Sequence, residues 1–143
     1  MLQKLQWDFY HKSYQTRKDD NHGISKVVRE RLHSVRDEID KLFEKSNSPK
    51  VAIYGAGTHT EKLLNIWKEL QLPPISLIVL SEMPNSMSFE GIPTLGIMSI
   101  AEENLDLIVL SSKSFEEIML QNCEKFLPET PRLGFWRSES TNL

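Results

Sequence analysis

Residues 50–64 read Lys-Val-Ala-Ile-Tyr-Gly-Ala-Gly-Thr-His-Thr-Glu-Lys-Leu-Leu and carry the clearest structural pattern in this sequence. A β-branched and aromatic run from Val51 to Tyr54 predicts a strand, and a glycine turn follows it directly. Apolar residues then recur at helical spacing from Leu63 to Leu70, which predicts an amphipathic helix. Strand, glycine turn and helix in this order indicate the opening unit of a Rossmann-type fold.

The glycine turn is also the best candidate for a ligand contact. Gly55 and Gly57 allow a tight turn and a close approach of the backbone to a ligand. The first turn of the helix offers free N–H groups and the positive end of a dipole, so we expect residues 55–61 to contact a phosphate or nucleotide. Thr60 stands at the third small position of the G-x-G-x-x-G/A fingerprint, so either the helix lies farther from the strand or the hydroxyl has another use.

The same residues also allow a purely structural interpretation. Thr58-His-Thr-Glu61 has the S/T-x-x-E form of a capping box, in which two side chains satisfy N–H groups of the helix itself. A Rossmann-like turn does not by itself imply nucleotide binding, because a fold does not confer a function. No Gly-Lys-Ser/Thr follows the loop, which argues against ATP hydrolysis of the P-loop kind.

Length, composition and charge limit the class of protein to which this chain can belong. A chain of 143 residues with 39% hydrophobic and 26% charged residues fits one globular domain with a helical extension. We divide it into an N-terminal helical arm, residues 1–48, and an α/β domain, residues 49–143. Residues 1–50 hold 11 Lys and Arg against 8 Asp and Glu, and the rest of the chain holds 6 against 12. Since the two signs alternate in the arm, we expect a solvated helix face and no nucleic-acid partner.

The cysteine and the apolar pattern bear on location. The single cysteine, Cys123, excludes an intramolecular disulfide, and we expect a buried thiol. It lies in a predicted helix, on one face with Phe115, Ile118, Met119 and Phe126. The N-terminus has no long apolar stretch, and no run approaches the roughly 18 apolar residues of a membrane span. We therefore predict a cytoplasmic protein without a membrane partner.

A long helix is predicted before the α/β domain. An apolar stripe with spacings of four, three, four and three predicts a helix from about residue 24 to 45. The stripe must be covered, so the helix either packs on the α/β domain or pairs with a second copy. The second alternative predicts a homodimer through the 24–45 helix. Residues 1–22 are expected to form a short helix or an ordered arm, with a break at Gly23. The stripe consists of Val28, Leu32, Val35, Ile39 and Leu42.

After a linker at residues 46–49 the pattern changes to alternating strands and helices, which is typical of a parallel sheet. These elements predict a three-layer Rossmann-like α/β fold with a four- to five-stranded, mostly parallel sheet, preceded by the long N-terminal helix. Helices are expected from about His59 to Leu70, from Ser99 to Asn104, and at Phe115–Leu127. Strands are expected at Val51–Tyr54, Ser76–Leu80, Leu107–Leu110 and Leu133–Trp136, with a short edge strand at Ile92–Leu95.

In open parallel sheets, ligands lie at the carboxyl ends of the strands. Glu82 follows the second strand, where a Rossmann fold places the acid that accepts a hydrogen bond from the ribose, although a solvated turn residue would also fit. Ser111 and Lys113 could meet a phosphate, and Ser112 or Ser114 could cap the next helix. We expect His59 to be exposed or hydrogen-bonded at the helix start rather than a catalytic base. The candidate binding residues are Gly55, Gly57, Thr58, His59, Thr60, Glu82, Ser111 and Ser112.

Three segments together resemble a bacterial family of small Rossmann-like domains with a GAGxHT turn. They are Ile53-Tyr-Gly-Ala-Gly-Thr-His-Thr60, Phe89-Glu-Gly-Ile-Pro-Thr-Leu95 and Asp106-Leu-Ile-Val-Leu-Ser-Ser112. Members of the family occur alone or attached to sugar-modifying and methyl- or glycosyl-transferring enzymes. The chain is also similar, more loosely, to the N-terminal nucleotide-sugar-binding domain of sugar acetyltransferases. The resemblance implies a nucleotide or nucleotide-sugar site, but the family's acid-rich turn after strand two is replaced by Ser81-Glu-Met-Pro84.

Together these patterns predict an accessory nucleotide- or nucleotide-sugar-binding domain that is not catalytic on its own. The residues leave open whether the ligand is a UDP-sugar or NAD(P). The first alternative is a small NAD(P)-dependent oxidoreductase, which the short α/β domain disfavours because it holds only one mononucleotide-type half of a full dinucleotide fold. The second alternative is a protein-interaction scaffold with an unused nucleotide site. No metal-ligand pattern or catalytic triad is present in the sequence.

Overall fold

A computed structural model describes residues 18–82 and 88–143, with side chains from residue 23 onwards. Most of the predicted arm at residues 1–22 lies outside this part. No helix in the described part is long and apolar enough to cross a bilayer. The α-helices are α1 (Lys18–Ser34), α2 (Arg36–Glu44), α3 (Thr58–Glu69) and α4 (Glu116–Phe126), and two 3₁₀ helices span Ile97–Glu103 and Ser138–Ser140. The strands are β1 (Val51–Tyr54), β2 (Ile75–Leu80), β3 (Ser88–Phe89), β4 (Ile92–Gly96), β5 (Leu107–Leu110) and β6 (Arg132–Leu133).

The strands form one six-stranded sheet in the order β3-β4-β2-β1-β5-β6. β1 lies parallel to both β2 and β5, β2 is parallel to β4, and β5 is parallel to β6. The central strands β1 and β5 are buried along their whole length. Burial on both faces explains why their sequences are continuously apolar rather than alternating. The predicted α/β class with a mostly parallel sheet is confirmed.

The sheet has one strand more than the upper limit predicted. β3 pairs antiparallel with β4, with Phe89 opposite Ile92. The two connecting residues, Glu90 and Gly91, have φ values of 49° and 81°, as a two-residue type I′ hairpin turn requires. A strand of two residues shows no alternating pattern, so the sequence analysis missed it. β4 therefore lies inside the sheet, and not at its edge as predicted.

The last strand is shorter than predicted. We expected a strand at Leu133–Trp136, but β6 ends at Leu133. The Gly134 N–H donates to the Thr141 hydroxyl at 3.2 Å, and the N–H groups of the next three residues donate to the Glu116 carboxylate. Side-chain acceptors thus take the N–H groups of residues 134–137, so this segment does not continue the ladder with β5.

The predicted N-terminal helix is divided in two. Gly23 lies inside α1 and not at a break, and the break comes instead at Val35, between α1 and α2. Val35 has φ −106° and ψ 9°. Just before it, the Ser34 hydroxyl donates to the Arg31 carbonyl oxygen at 2.9 Å, a local bond of the kind that competes with regular helical bonding.

The apolar stripe of α1 and α2 is covered by the chain itself. Arg36 also ties α2 to the end of α3, since its guanidinium donates to the Leu70 carbonyl oxygen at 2.9 Å. The predicted arm and the predicted α/β domain therefore share one core. The stripe gives no reason for a second copy, and the homodimer through this helix stays a prediction. The core shared by the arm and the α/β domain contains Val28, Leu32, Val35 and Ile39 of the stripe, and Val51 and Ile53 of β1.

On the other face of the sheet, α4 and the first 3₁₀ helix cover the strands. Cys123 is fully buried there, as predicted, and burial raises the pKa of its thiol to about 12. Phe115 and Ile118, which we placed on the same buried face, are 57% and 53% exposed. The prediction was wrong for these two residues because the face that α4 buries is formed by Met119, Leu120 and Cys123.

We expect Leu32→Ala to lower the free energy of unfolding by about 2–5 kcal/mol, because Leu32 is fully buried and its removal leaves a cavity. Leu42→Ala is the matched control, since Leu42 belongs to the same stripe but is only partly buried. Its loss should be less than half as large. Urea denaturation of both variants measures the difference, and equal losses would contradict the packing of the stripe described above.

Candidate functional site

The glycine turn begins deep in the sheet, where β1 ends. Gly55 has φ 119°, a conformation that residues other than glycine rarely adopt. Its N–H donates to the Val79 carbonyl oxygen at 2.8 Å, and the Ser111 N–H donates to the Tyr54 carbonyl oxygen at 2.9 Å. A Cβ at Gly55 would lie 2.6 Å from the Ser111 carbonyl oxygen. Glycine at this position therefore lets the loops that follow β1 and β5 approach each other.

These two loops lie where the order of the strands reverses. From β1 the sheet grows on one side through β2 and β4, and the chain then returns to add β5 on the other side of β1. In open parallel sheets such a reversal leaves a crevice at the carboxyl ends of the strands, where ligands bind. The fold thus brings the predicted residues of the glycine turn and of the Ser111 loop to one place.

α3 begins at Thr58 with Gly57 as its N-cap, so its first residue has no side-chain cap. The Gly57 N–H donates to the Thr60 hydroxyl at 3.4 Å. Because glycine has no side chain, only this half of a capping box forms, and the box predicted for Thr58 and Glu61 is not made. A Cβ at Gly57 would meet nothing within 4 Å. The Thr58 hydroxyl is buried and has no hydrogen-bond partner among the described residues. The N–H groups of Thr58 and His59 belong to the first turn, where a helix supplies no acceptor of its own.

Three predicted site residues form a buried chain of hydrogen bonds. His59 Nδ1 lies 2.8 Å from Ser111 Oγ, which in turn lies 2.9 Å from Thr60 Oγ1. Trp136 extends the chain, because its indole N–H donates to His59 Nε2 at 3.1 Å. His59, Thr60 and Ser111 are 6%, 0% and 4% exposed. Their side chains therefore hold the two loops together, and this is the other use of the Thr60 hydroxyl.

His59 is a neutral group with a defined tautomer. Burial lowers its pKa from 6.5 to about 4, so the ring carries no charge at neutral pH. An indole N–H can only donate a hydrogen bond, so His59 Nε2 is the acceptor and the ring proton lies on Nδ1. The ring then donates to Ser111. Since both ring nitrogens are engaged, neither is free to act as a base.

The remaining candidates lie outside this chain of hydrogen bonds. The Ser112 hydroxyl accepts the N–H of Phe115, the N-cap of α4, at 2.9 Å. Ser112 thus supports the turn before α4, but the helix has no side-chain cap, so the capping alternative was wrong for this residue. Glu82 is exposed after β2, at the end of the first described segment. Its contact with a ribose stays a prediction. Ser81 beside it is bonded to the Tyr54 hydroxyl at 2.7 Å.

Glu116 is an important residue that the sequence analysis missed. Its carboxylate is fully buried and accepts the N–H groups of Phe135, Trp136 and Arg137, each at 3.0 Å. A Cβ at Gly134 would lie 2.7 Å from Glu116 Oε1, so glycine allows the loop to close on the carboxylate. Acidic residues are common in the first turn of any helix, so the sequence held no signal that would single out this one.

Lys113 and Trp136 lie side by side at the same edge of the sheet. The Lys113 ammonium is 5.0 Å from the centre of the Trp136 ring, which is a cation–π distance. Lys113 is exposed and Trp136 is half-buried. The neighbouring Arg137 is paired with Glu117 at 3.1 Å and with Glu139 at 3.3 Å. In the part of the chain that the structure describes, Lys113 has no carboxylate partner, so it is a cation available to a ligand.

In the described residues, neither a metal-binding cluster nor the groove at the end of α3 lies at this edge of the sheet. Within residues 18–82 and 88–143, no three His, Cys, Asp or Glu side chains come together in a group that could hold a metal ion. A groove of about 580 Å³ lies at the end of α3 and the starts of β2 and β4, with Trp67, Pro74, Ile75 and Ile92 in its wall. Its size suits a small ligand, but it lies at the amino ends of the strands and contains none of the predicted residues.

Comparison with known proteins gives no relative on which a function could be based. No protein-family model matches the sequence, no curated protein matches it, and no solved structure matches the fold. The resemblance to the GAGxHT domains stays a prediction, and the function has to be argued from the site itself.

The two glycines of the turn should respond differently to substitution. We expect Gly55→Ala to lower the free energy of unfolding by more than about 2 kcal/mol, because it adds a positive-φ strain and a clash with Ser111. Gly57→Ala should cost about 1 kcal/mol or less, because Gly57 has an extended conformation with free space around it. Chemical denaturation compares the two, and a loss for Gly57→Ala as large as that for Gly55→Ala would contradict this geometry.

Because of His59, the free energy of unfolding should also decrease as the pH is lowered. In the unfolded chain its pKa is 6.5 and in the folded protein about 4, so between these values the unfolded state binds more protons. The free energy of unfolding should therefore decrease by about 3 kcal/mol as the pH falls from about 6.5 to 4.

Denaturation of the wild type and of His59→Gln at several pH values isolates this contribution, because the carboxylates titrate in both proteins. The difference between them should change over this pH window. His33→Gln, which removes an exposed histidine, should follow the wild type. A constant difference between His59→Gln and the wild type would show that His59 is not a buried neutral group.

Proposed function

We propose that this chain is an accessory Rossmann-like domain that binds the phosphate of a nucleotide or nucleotide-sugar at the N-terminus of α3. The order of the parallel strands supports a Rossmann-like assignment. Without the short hairpin strand β3, the sheet reads β4-β2-β1-β5-β6, which in chain order is the 3-2-1-4-5 arrangement of dinucleotide-binding sheets. The extra hairpin strand extends the edge of the sheet away from the proposed site.

The observation that carries this proposal is the open start of α3 at the reversal of strand order. Gly57 has no side chain to fill the space in front of the helix, and a Cβ there would meet nothing. The Thr58 hydroxyl, buried and without a partner among the described residues, lies in the first turn. First-turn N–H groups and the dipole of a 12-residue helix favour an anion at this position.

The roles of the predicted residues follow from their burial. Backbone N–H groups of Thr58 and His59 would bind the phosphate, whereas the side chains of His59, Thr60 and Ser111 hold the loops in place. Lys113 would add a positive charge from the other side of the crevice. Glu82 would accept a hydrogen bond from a ribose, and Ser112 is engaged in the start of α4.

The size of the sheet favours a mononucleotide or nucleotide-sugar over NAD(P). A dinucleotide spans two βαβαβ halves, but here the strands beyond β5 amount to the two residues of β6. His59, the histidine of the glycine turn, is also not free to act as an acid or base, since both of its ring nitrogens are hydrogen-bonded. Binding without catalysis is therefore a better match to this site than an oxidoreductase.

A protein-interaction scaffold is the second candidate, and one observation favours it. His59, Thr60 and Ser111 satisfy one another's hydrogen-bonding groups, so the loops close without a ligand. In that case the glycine turn serves only the fold. A homodimer would then have to use another surface than the stripe of α1 and α2, which is buried.

Calorimetric and thermal-shift titrations with UDP, a UDP-sugar, NADH and inorganic phosphate test the proposal. We expect the wild type to be stabilised by a phosphate-bearing ligand, and Gly57→Val to lose this response because its side chain fills the space before α3. The Gly57 conformation is extended, so the variant should remain folded.

Gly23→Val is the matched control, because Gly23 is exposed on α1 and a Cβ there also meets nothing. This variant should bind like the wild type. A wild type that responds to none of the four compounds would favour the scaffold. Binding that survives Gly57→Val would place the ligand elsewhere.

A further inference from the structure

We infer that Trp136 is a positioning residue of the proposed phosphate site: its indole N–H selects the tautomer of His59 and so holds the start of α3 in its binding shape. This inference rests on the proposed function. It assigns a role at that site to residues 134–137, the C-terminal loop. This loop contains none of the residues proposed to bind the phosphate.

The first step is the direction of the hydrogen-bond chain. The indole of Trp136 can only donate, so it makes His59 Nε2 an acceptor at 3.1 Å. His59 Nδ1–H must then donate to Ser111 Oγ at 2.8 Å. With that lone pair of Ser111 occupied, its own hydrogen is free to be donated to Thr60 Oγ1 at 2.9 Å. A single unambiguous donor thus orients the bonds from the C-terminal loop to Ser111 and leaves the Ser111 hydrogen free for Thr60.

The second step connects this chain to the ligand. Thr60 Oγ1 accepts the Gly57 N–H at 3.4 Å, so the N–H of the N-cap residue is hydrogen-bonded within the turn. The first-turn N–H groups without an acceptor inside the helix are those of Thr58, His59 and Thr60, and the first two are the proposed phosphate contacts. If the His59 proton moved to Nε2, Ser111 would have to donate to His59, and the Thr60 hydroxyl would have to reorient to donate to Ser111. The N-cap of α3 would then be less well fixed.

The third step explains what holds Trp136. β6 ends at Leu133, so Trp136 is not held by the sheet. Instead, the buried carboxylate of Glu116 accepts the N–H groups of Trp136 and its two neighbours. The Phe135 ring lies 5.7 Å from the His59 ring, and the Lys113 ammonium lies over Trp136. Phe135 favours a neutral His59 by excluding water, in agreement with burial as the main cause of its lowered pKa.

The experiment compares Trp136→Phe with Trp67→Phe. Trp67 is a matched control, because its indole N–H also donates to one acceptor, the Pro73 carbonyl oxygen at 2.6 Å, outside the site. ¹⁵N NMR of the imidazole nitrogens reports the tautomer, and calorimetry with UDP and inorganic phosphate reports binding. We expect the Nδ1–H tautomer in the wild type and in Trp67→Phe, and a mixture of tautomers in Trp136→Phe.

Binding of UDP and phosphate should be about fivefold weaker in Trp136→Phe, as expected for the loss of one hydrogen bond, and unchanged in Trp67→Phe. Ser111→Ala is a second variant that interrupts the chain without touching Trp136. It should weaken binding while Trp136 still donates to His59 Nε2.

The outcomes separate this inference from the proposed function. An Nε2–H tautomer in the wild type, or equal affinities of wild type and Trp136→Phe, would overturn the positioning role even though the domain binds its ligand. A wild type that binds neither UDP nor phosphate, yet shows the expected change of tautomer in Trp136→Phe, would overturn the proposed function, and the positioning role at a ligand site with it.

Discussion

The close approach of Gly55 to the Ser111 carbonyl oxygen is the constraint on which the rest of the structure depends. β1 and β5 are the central strands, and this approach fixes how the chain leaves both of them. Only because the loops are so close can Ser111 reach both His59 and Thr60. A larger residue at position 55 would separate the loops, and both the start of α3 and the buried hydrogen-bond chain would change with them.

Much of this fold could be predicted because its central elements are dominated by one physical signal. β1 and β5 were predicted with their observed bounds, since a strand buried on both faces is continuously apolar. The stripe of α1 and α2 likewise predicted a buried helical face, but only the structure could show that it is covered by the chain's own core. β3 and the end of β6 depend on a two-residue turn and on Glu116, and neither leaves a periodic pattern.

The sequence predicted the location of the candidate site better than the role of each residue in it. The glycine turn and Ser111 come together as the order of a parallel sheet requires. The roles of His59 and Thr60 differ because both side chains point to partners far away in the sequence, Ser111 and Trp136. Periodicity and motif spacing describe neighbours along the chain, so they cannot reveal a hydrogen bond between residues that lie 77 positions apart.

Two helices begin at the same edge of the sheet, and their first turns are occupied in different ways. At α4 the Ser112 hydroxyl accepts the Phe115 N–H, and the carboxylate of Glu116 occupies this end of the helix while it binds the C-terminal loop. An external anion would meet like charge there. At α3 the N-cap is Gly57, which has no side chain, and the nearby histidine is neutral. Glu61 stands in the first turn of α3, but no side chain fills the space in front of Gly57. This contrast is why we propose the phosphate site at α3.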